Sequence, residues 1–303
     1  DPQWPDPPFP GSDSFNGEQI HSHQYVEESQ LVGKRVVVLG MGNSAMDIAV
    51  DASYHAEATY LAARRGAHIV PKYIFGRPYD TLAASEWIPH WIRWPIARVL
   101  IFLATGPMTR YGLPKPDHRF AEAHPTMSSR VLDRLAHGAI TPKPNIARLD
   151  GDRVHFADGT SVEADLVIYC TGYKITFPFF DESFVSAPGN RIDLYQRFLH
   201  PDIPGLYFIG LVQPLGAIMP IAERQSHIVA DHIQGIWSAP SRAEMQREMD
   251  RYRRKLEKRY VASRRHTIQV DFDDYMRDLR KERERGRARP NYDPLRPTAR
   301  AGR

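Results

Sequence analysis

Five small or polar residues, Gly40, Gly42, Asn43, Ser44 and Ala45, are spaced to hold an anion, and Arg64 and Arg65 further along are placed to read a second one. Gly40-x-Gly42-x-x-Ala45 lies between an apolar run, Val36-Val37-Val38-Leu39, and a stretch with Ala45, Ile48 and Ala49 on one helical face. The run suits a strand buried on both faces of a parallel sheet. Strand, glycine turn and helix in that order are the context in which GxGxxA signifies a dinucleotide. Gly40 suits the tight turn, Gly42 has no Cβ to keep the backbone from a pyrophosphate, and Ala45 lets the helix pack close to the strand. The helix start adds unpaired backbone N–H groups and a partial positive charge.

The same stretch indicates which dinucleotide. An NAD site places Asp or Glu about 20 residues after the glycines, where it holds the ribose 2′-hydroxyl. Here the second strand, Ala58-Thr59-Tyr60-Leu61-Ala62-Ala63, ends in Arg64-Arg65, and no Asp or Glu occurs between Glu57 and Asp80. A carboxylate would repel a 2′-phosphate, whereas a guanidinium binds one through two charge-assisted hydrogen bonds. NADPH is therefore favoured over NADH.

The elements that must position these groups can be read along the chain. With 303 residues, 42% of them hydrophobic, the chain can bury a substantial core. The single cysteine, Cys170, excludes an internal disulfide and a cysteine-rich metal site, and suits a reducing, cytoplasmic compartment. No apolar run approaches the roughly 20 residues a membrane helix needs. Residues 241–303 carry 20 Lys+Arg against 11 Asp+Glu, a net +9 in a chain of net +4, so all the excess basicity lies there. Without an aromatic platform or a recognition fold, that charge is not read as a nucleic-acid site.

The opening Asp1 to Gly11 is too rich in proline for helix or central strand. Phe15 to Tyr25 reads by itself as an irregular surface segment with two histidines, His21 and His23. Arg77-Pro78-Tyr79-Asp80 reads as a loop. The apolar stretch Trp87 to Leu103, broken by Pro89 and Pro95, is expected to form a buried helix pair rather than a membrane-surface helix. His118, His124 and His137 are too scattered for a metal site. Strands are predicted over Ile146–Leu149, Arg153–Phe156 and Ser161–Glu163, the last two joined at Asp158-Gly159. A further strand, Leu166–Cys170, ends in Thr171-Gly172, as suits a chain passing a nucleotide at the carboxyl edge of a sheet. Cys170 reads as a small core residue. Leu206–Gly210 is read as a strand, followed by a helix from near Pro220 and a long one over Glu244–Tyr260 with Met245, Met249, Tyr252 and Leu256 on one side. From Lys281 the composition suggests a disordered, solvated end.

Phe15, Gly17, His21 and Tyr25 fit FxGxxxHxxxY, and Gly40 to Asp47 fits GxGNSxxD. In this order and spacing the sequence resembles the flavin-containing monooxygenases over most of residues 5–240. The resemblance implies a Rossmann-like NADPH domain and the later part of an FAD-binding domain. It divides the chain into a linker (1–31), an NADPH domain (32–172) with a helical insertion about 80–135, a flavin-domain portion (173–240) and C-terminal helices with a basic tail (241–303). It implies that His21 orients one domain against the other, that Thr171-Gly172 hands the chain back to the flavin domain, and that Gln213 neighbours the flavin. It also implies that O2 adds to reduced FAD as a C4a-hydroperoxide and that an amine or sulfide takes the distal oxygen. No residue is assigned as catalytic.

The family also needs a second glycine fingerprint for FAD ahead of the NADPH domain, so the sequence reads as the later portion of such an enzyme. Two other functions stay open at this point: a Baeyer–Villiger monooxygenase acting on ketones, and, for these residues alone, a non-catalytic NADPH-binding module. The sequence is compatible with a homodimer and does not specify one.

Overall fold

A computed structural model describes the chain apart from residues 75, 79–89, 119–125, 215, 260–266 and 291–303. Tyr79, Asp80, Trp87 to Pro89, His124, Tyr260 and the Arg- and Pro-rich end from 291 thus lie outside the described residues. The chain divides into two compact units, Asp1–Lys174 and Ile175–Arg303.

In the first unit the strands are β1 (Glu18–His21), β2 (Arg35–Leu39), β3 (Ala58–Ala63), the two-residue β4 (Ile69–Val70), β5 (Tyr73–Ile74), β6 (Arg77–Pro78) and β7 (Thr126–Met127), then β8 (Thr141–Pro144), β9 (Ile146–Asp150), β10 (Arg153–Phe156), β11 (Ser161–Glu163) and β12 (Leu166–Tyr169). Its helices are α1 (Asn43–His55), α2 (His90–Thr105) and α3 (Val131–Ala136). A parallel sheet runs β1-β12-β2-β3-β8.

The apolar run of β2 is explained by cover on both faces. Val36 and Val38 join Ala45, Met46 and Ala49 of α1 in one cluster, while Val37 and Leu39 join Leu149, Val154 and Phe156 of the antiparallel β9-β10-β11 sheet in another. Alternate side chains of a strand point to opposite faces, so each face needs its own apolar set.

The observed structure departs from expectation at β1 and at β6. Glu18–His21 is an edge strand of the main sheet, with Ile20 and His21 buried, rather than an irregular surface segment. Residues 87–89 of the predicted helix pair lie outside the described residues, and the remainder is the helix α2. This helix buries Ile101 against Val70 and Met127 and leaves Val99, Phe102 and Leu103 exposed at 57%, 57% and 74%. Pro78 belongs to the short β5–β6 hairpin rather than to a loop.

The second unit contains β13 (Gln213–Pro214), β14 (Gln269–Val270), and helices α4 (Met219–Ile233), α5 (Arg242–Arg259) and α6 (Phe272–Ala288). Pro220 stands in the first turn of α4, where its missing N–H costs no helical bond. Ile221, Ile228, Trp237, Met245, Tyr275 and Leu279 share its core. Leu206–Gly210 does not form the expected strand, and only Tyr207 makes an isolated bridge, to Leu199. Residues 281–288 are helical rather than disordered. Their charges have acceptors that the composition hides, because Asp231 takes Arg283 at 2.6 Å and Arg287 at 3.0 Å, and Glu282 takes Arg289 at 2.7 Å. Among the described residues no helix is long and apolar enough to cross a membrane.

Candidate functional site

The glycine turn sits where β2 ends. The Gly40 N–H donates to the Ala62 carbonyl at 2.9 Å, tying the turn to the end of β3. Gly40 has φ +148°, and a Cβ there would meet the Cys170 carbonyl oxygen at 2.7 Å and Ala45 Cβ at 3.3 Å. The turn therefore requires glycine at this point on both counts. Gly42 is extended, at φ −87° and ψ 178°, so its lack of a side chain matters for approach rather than conformation. α1 then starts without a side-chain cap and without an acidic residue in its first turn. Such an end presents free N–H groups to an anion. Ser44 is exposed there and Ala45 is fully buried against the sheet. The Asn43 carboxamide oxygen accepts the Met127 N–H at 2.8 Å, so its oxygen braces the turn while its Nδ2 has no acceptor among the described residues.

The two arginines part company. Leu39 is opposite Ala62 in the β2–β3 register, which sets Arg64, just past the end of β3, beside the glycine turn. Arg64 is exposed and has no hydrogen-bond or ion-pair partner among the described residues. Arg65 Nε lies 3.5 Å from Asp117 Oδ2. Asp117 also accepts from His118 at 3.0 Å, and the His118 and Arg65 contacts hold its carboxyl below the usual range. Of the two, Arg64 is the guanidinium without a partner among the described residues.

His21 ends β1, two strands from β2, and is fully buried. Its Nδ1 accepts the His23 N–H at 3.1 Å, and its ring lies 5.1 Å from that of Tyr173 and 5.8 Å from that of Trp4. Burial lowers its pKa, and Nε2 has no partner at hydrogen-bonding geometry. The spacing Phe15-x-Gly17 has a steric cause, since a Cβ on Gly17 would meet the Phe15 ring at 2.6 Å. Tyr25 donates to Asp51 of α1 at 3.1 Å, which ties the histidine segment to that helix.

Thr171 and Gly172 follow β12 and are held by the opening segment. The Thr171 hydroxyl donates to the Gln3 carbonyl, and the Gln3 N–H donates to the Gly172 carbonyl at 2.9 Å. Gly172 has φ +97° with open space where a Cβ would stand. Trp4 and Gln3 are contributors that the sequence reading missed, and no spacing rule would have found them. Cys170 packs against the core, and burial pushes its thiol up to about 12.

In the second unit the Gln213 N–H donates to the Ile268 carbonyl at 2.8 Å within the β13–β14 pair, and its half-buried carboxamide has no partner among the described residues. The loop is pinned one turn earlier by Gln225, which accepts the Gly210 N–H at 2.8 Å and donates to Tyr275 at 2.8 Å.

A parallel sheet with a glycine turn leading from β2 into α1 defines a protein of the Rossmann-like class. The family described as flavin-binding monooxygenase-like matches residues 1–292, and the chain belongs to it. It is 38% identical over 283 residues to flavin-containing monooxygenase 5 of Homo sapiens, covering 89% of this chain and 52% of that protein. It is 33% identical over 285 residues to dimethylaniline monooxygenase [N-oxide-forming] 2 of Pan troglodytes, covering 90% of this chain and 53% of that protein. The chain thus spans about half the length of the curated relatives it matches.

Two solved structures share the fold. S-allyl-L-cysteine S-oxygenase from Allium sativum superimposes with TM-score 0.58 at 23% identity over 98% of this chain and 58% of that one. The NADP+-bound cyclohexanone monooxygenase from Rhodococcus sp. Phi1 does so with TM-score 0.62 at 14% identity over 94% and 71%.

Proposed function

We propose that the complete protein is an NADPH- and FAD-dependent monooxygenase that oxygenates soft nucleophiles, amines or sulfides, with O2 as the oxygen source. The observation that carries this reading is Arg64, an unpartnered guanidinium set beside a glycine turn, in a chain of the flavin-binding monooxygenase-like family. The residues present fit a nicotinamide dinucleotide phosphate. Gly40 makes the turn, the amides of Gly42, Asn43, Ser44 and Ala45 face no competing acidic group in the first turn, and Arg64 is free for a 2′-phosphate. For FAD these residues supply the Gln213 loop with its unpartnered carboxamide, and the sequence holds no second glycine fingerprint.

When bound, the flavin supplies the redox chemistry and the activation of dioxygen. The chain's own residues bind and orient the reductant. Arg65, drawn to Asp117, is the lesser contributor to the 2′-phosphate, and His21, buried and neutral, packs the end of β1 against Tyr173 and Trp4 rather than moving a proton. The preference for amines or sulfides over ketones follows the N-oxide-forming relative and the resemblance of Tyr25 and the Asn43-Ser44 turn to that group. A reducing compartment suits the single thiol of Cys170.

The test is Arg64→Ala in the complete protein. A charge-assisted pair is worth about 1.5–3 kcal/mol, so NADPH affinity should fall roughly 10- to 100-fold while NADH affinity stays near its starting value. Equal loss for both nucleotides refutes the assignment. Turnover of a tertiary amine or a sulfide, set against that of a ketone, then decides the substrate class.

A further inference from the structure

The glycine turn is gripped from outside its own strand and helix. After β3 the chain makes β4, departs, and returns as β7, which pairs with β4 in parallel, Ile69 opposite Thr126 and Val70 opposite Met127. Thr126 is 3% exposed, and its N–H donates to the His68 carbonyl at 2.9 Å. Its hydroxyl donates to the carbonyl of Met41 at 2.6 Å, while the N–H of Met127 donates to the side-chain oxygen of Asn43 at 2.8 Å. Two consecutive residues of β7 therefore hold the turn on either side of Gly42.

The consequence lies in one peptide plane. In a trans peptide the C=O and the following N–H point in opposite directions. With the Met41 carbonyl directed at Thr126, the Gly42 N–H of the same peptide is turned away from β7. No acceptor for that N–H occurs among the described residues. The bond from Met127 works in the same sense, because it occupies the Asn43 oxygen, which would repel a phosphate, and leaves the Nδ2 protons to donate.

The geometry points to Thr126 as a positioning residue for the dinucleotide. Its hydroxyl sets the Met41–Gly42 peptide so that the Gly42 N–H is kept as a donor for the diphosphate, and Met127 sets Asn43 for the same group. This rests on the dinucleotide reading of the turn. A hydroxyl that merely satisfied a buried carbonyl would affect stability without distinguishing one ligand from another.

Ligand titrations on the intact protein separate the cases, using NADP+, which carries the diphosphate, and adenosine 2′-phosphate, which lacks it. Thr126→Val should weaken NADP+ roughly tenfold, the worth of one hydrogen bond to a charged group, and leave adenosine 2′-phosphate unchanged. Thr126→Ser, which restores the hydroxyl, should recover NADP+ affinity. Asn43→Ala, at an exposed position, should show the same ligand-selective loss and covers the case in which Thr126→Val fails to fold. Arg64→Ala should weaken both ligands. Should Thr126→Val and Asn43→Ala bind NADP+ like the parent, or lose both ligands in parallel while Arg64→Ala behaves as stated, the positioning role is overturned. Should Arg64→Ala and Gly42→Val both leave NADP+ affinity intact, it is the dinucleotide reading itself that fails.

Discussion

Replacing Gly286 by alanine sets two opposed effects against each other. Gly286 lies within α6, where alanine is favoured over glycine by about 1 kcal/mol. A Cβ at this position, however, would meet Trp237 Nε1 at 1.8 Å, Cδ1 at 2.0 Å and Cε2 at 2.5 Å. Trp237 is fully buried and donates from Nε1 to the Glu282 carbonyl at 3.0 Å, so it has neither room nor a second partner to turn to. Overpacking costs about 1–3 kcal/mol, and an indole N–H left unsatisfied adds about 1–3 kcal/mol. Set against the helix-propensity gain, the expected net loss is about 3 kcal/mol, with a slope of about 2 kcal/mol per molar urea lowering the midpoint by roughly 1.5 M. Urea unfolding followed by far-UV circular dichroism measures it. An unchanged or raised midpoint would show that α6 does not pack on Trp237 and that the basic end is solvated after all.

Deleting residues 286–303 removes the Arg287–Asp231 and Arg289–Glu282 contacts together with the Ser238 N–H to Gly286 carbonyl bond at 3.0 Å. It should lower the melting temperature by several degrees in a thermal scan, the cost being of order 2–4 kcal/mol; an unaltered melt would count against the α6 contacts. Asp165 accepts three bonds from Arg35 at 2.8 Å each, and these hold its carboxyl down to about 2. Because the folded value lies below the ordinary value near 3.9, the contribution is fully present above about pH 4 and is lost as the pH falls towards 2. Asp165→Asn should cost about 1 kcal/mol at neutral pH, the carboxylate being partly exposed, and should flatten stability between pH 4 and 2; a parallel acid limb in the variant would contradict this. Cys170 should resist an alkylating reagent at pH 8 in the folded protein and react once unfolded, since burial keeps it in the thiol form. Rapid modification of the native protein, seen by mass spectrometry, would show that the crevice behind Gly40 is open.

Much of the nucleotide unit was legible because its signals are local. The valine run, the glycines and Ala45 each act within one strand–turn–helix, and the structure places β2, α1 and β3 over the expected residues. The hairpin at Asp158-Gly159 was legible for the same reason. What the sequence hid depends on distant partners. β1 pairs with a strand nearly 150 residues later, so the segment around His21 shows no sign of being sheet when read by itself. The helical state of residues 281–288 depends on Asp231 and Trp237, which composition cannot reveal. The grip of Thr126 on Met41 crosses 85 positions, and a single threonine carries no motif. Arg64 and Arg65 are equivalent in the sequence and become distinct only through Asp117.

The order of strands in the main sheet bears on how the unit is born. β12 lies between β1 and β2 yet is the last of the five to leave the ribosome, after residue 165. Until it arrives, β1 has no strand partner among the described residues, and the floor against which Gly40 packs, at Cys170, does not exist. Closing a long chain segment before any pairing is rewarded slows folding. The nascent chain therefore waits with one edge of the valine strand unsealed, and the nucleotide affinity proposed above should switch on in one step, when that final ribbon slots home.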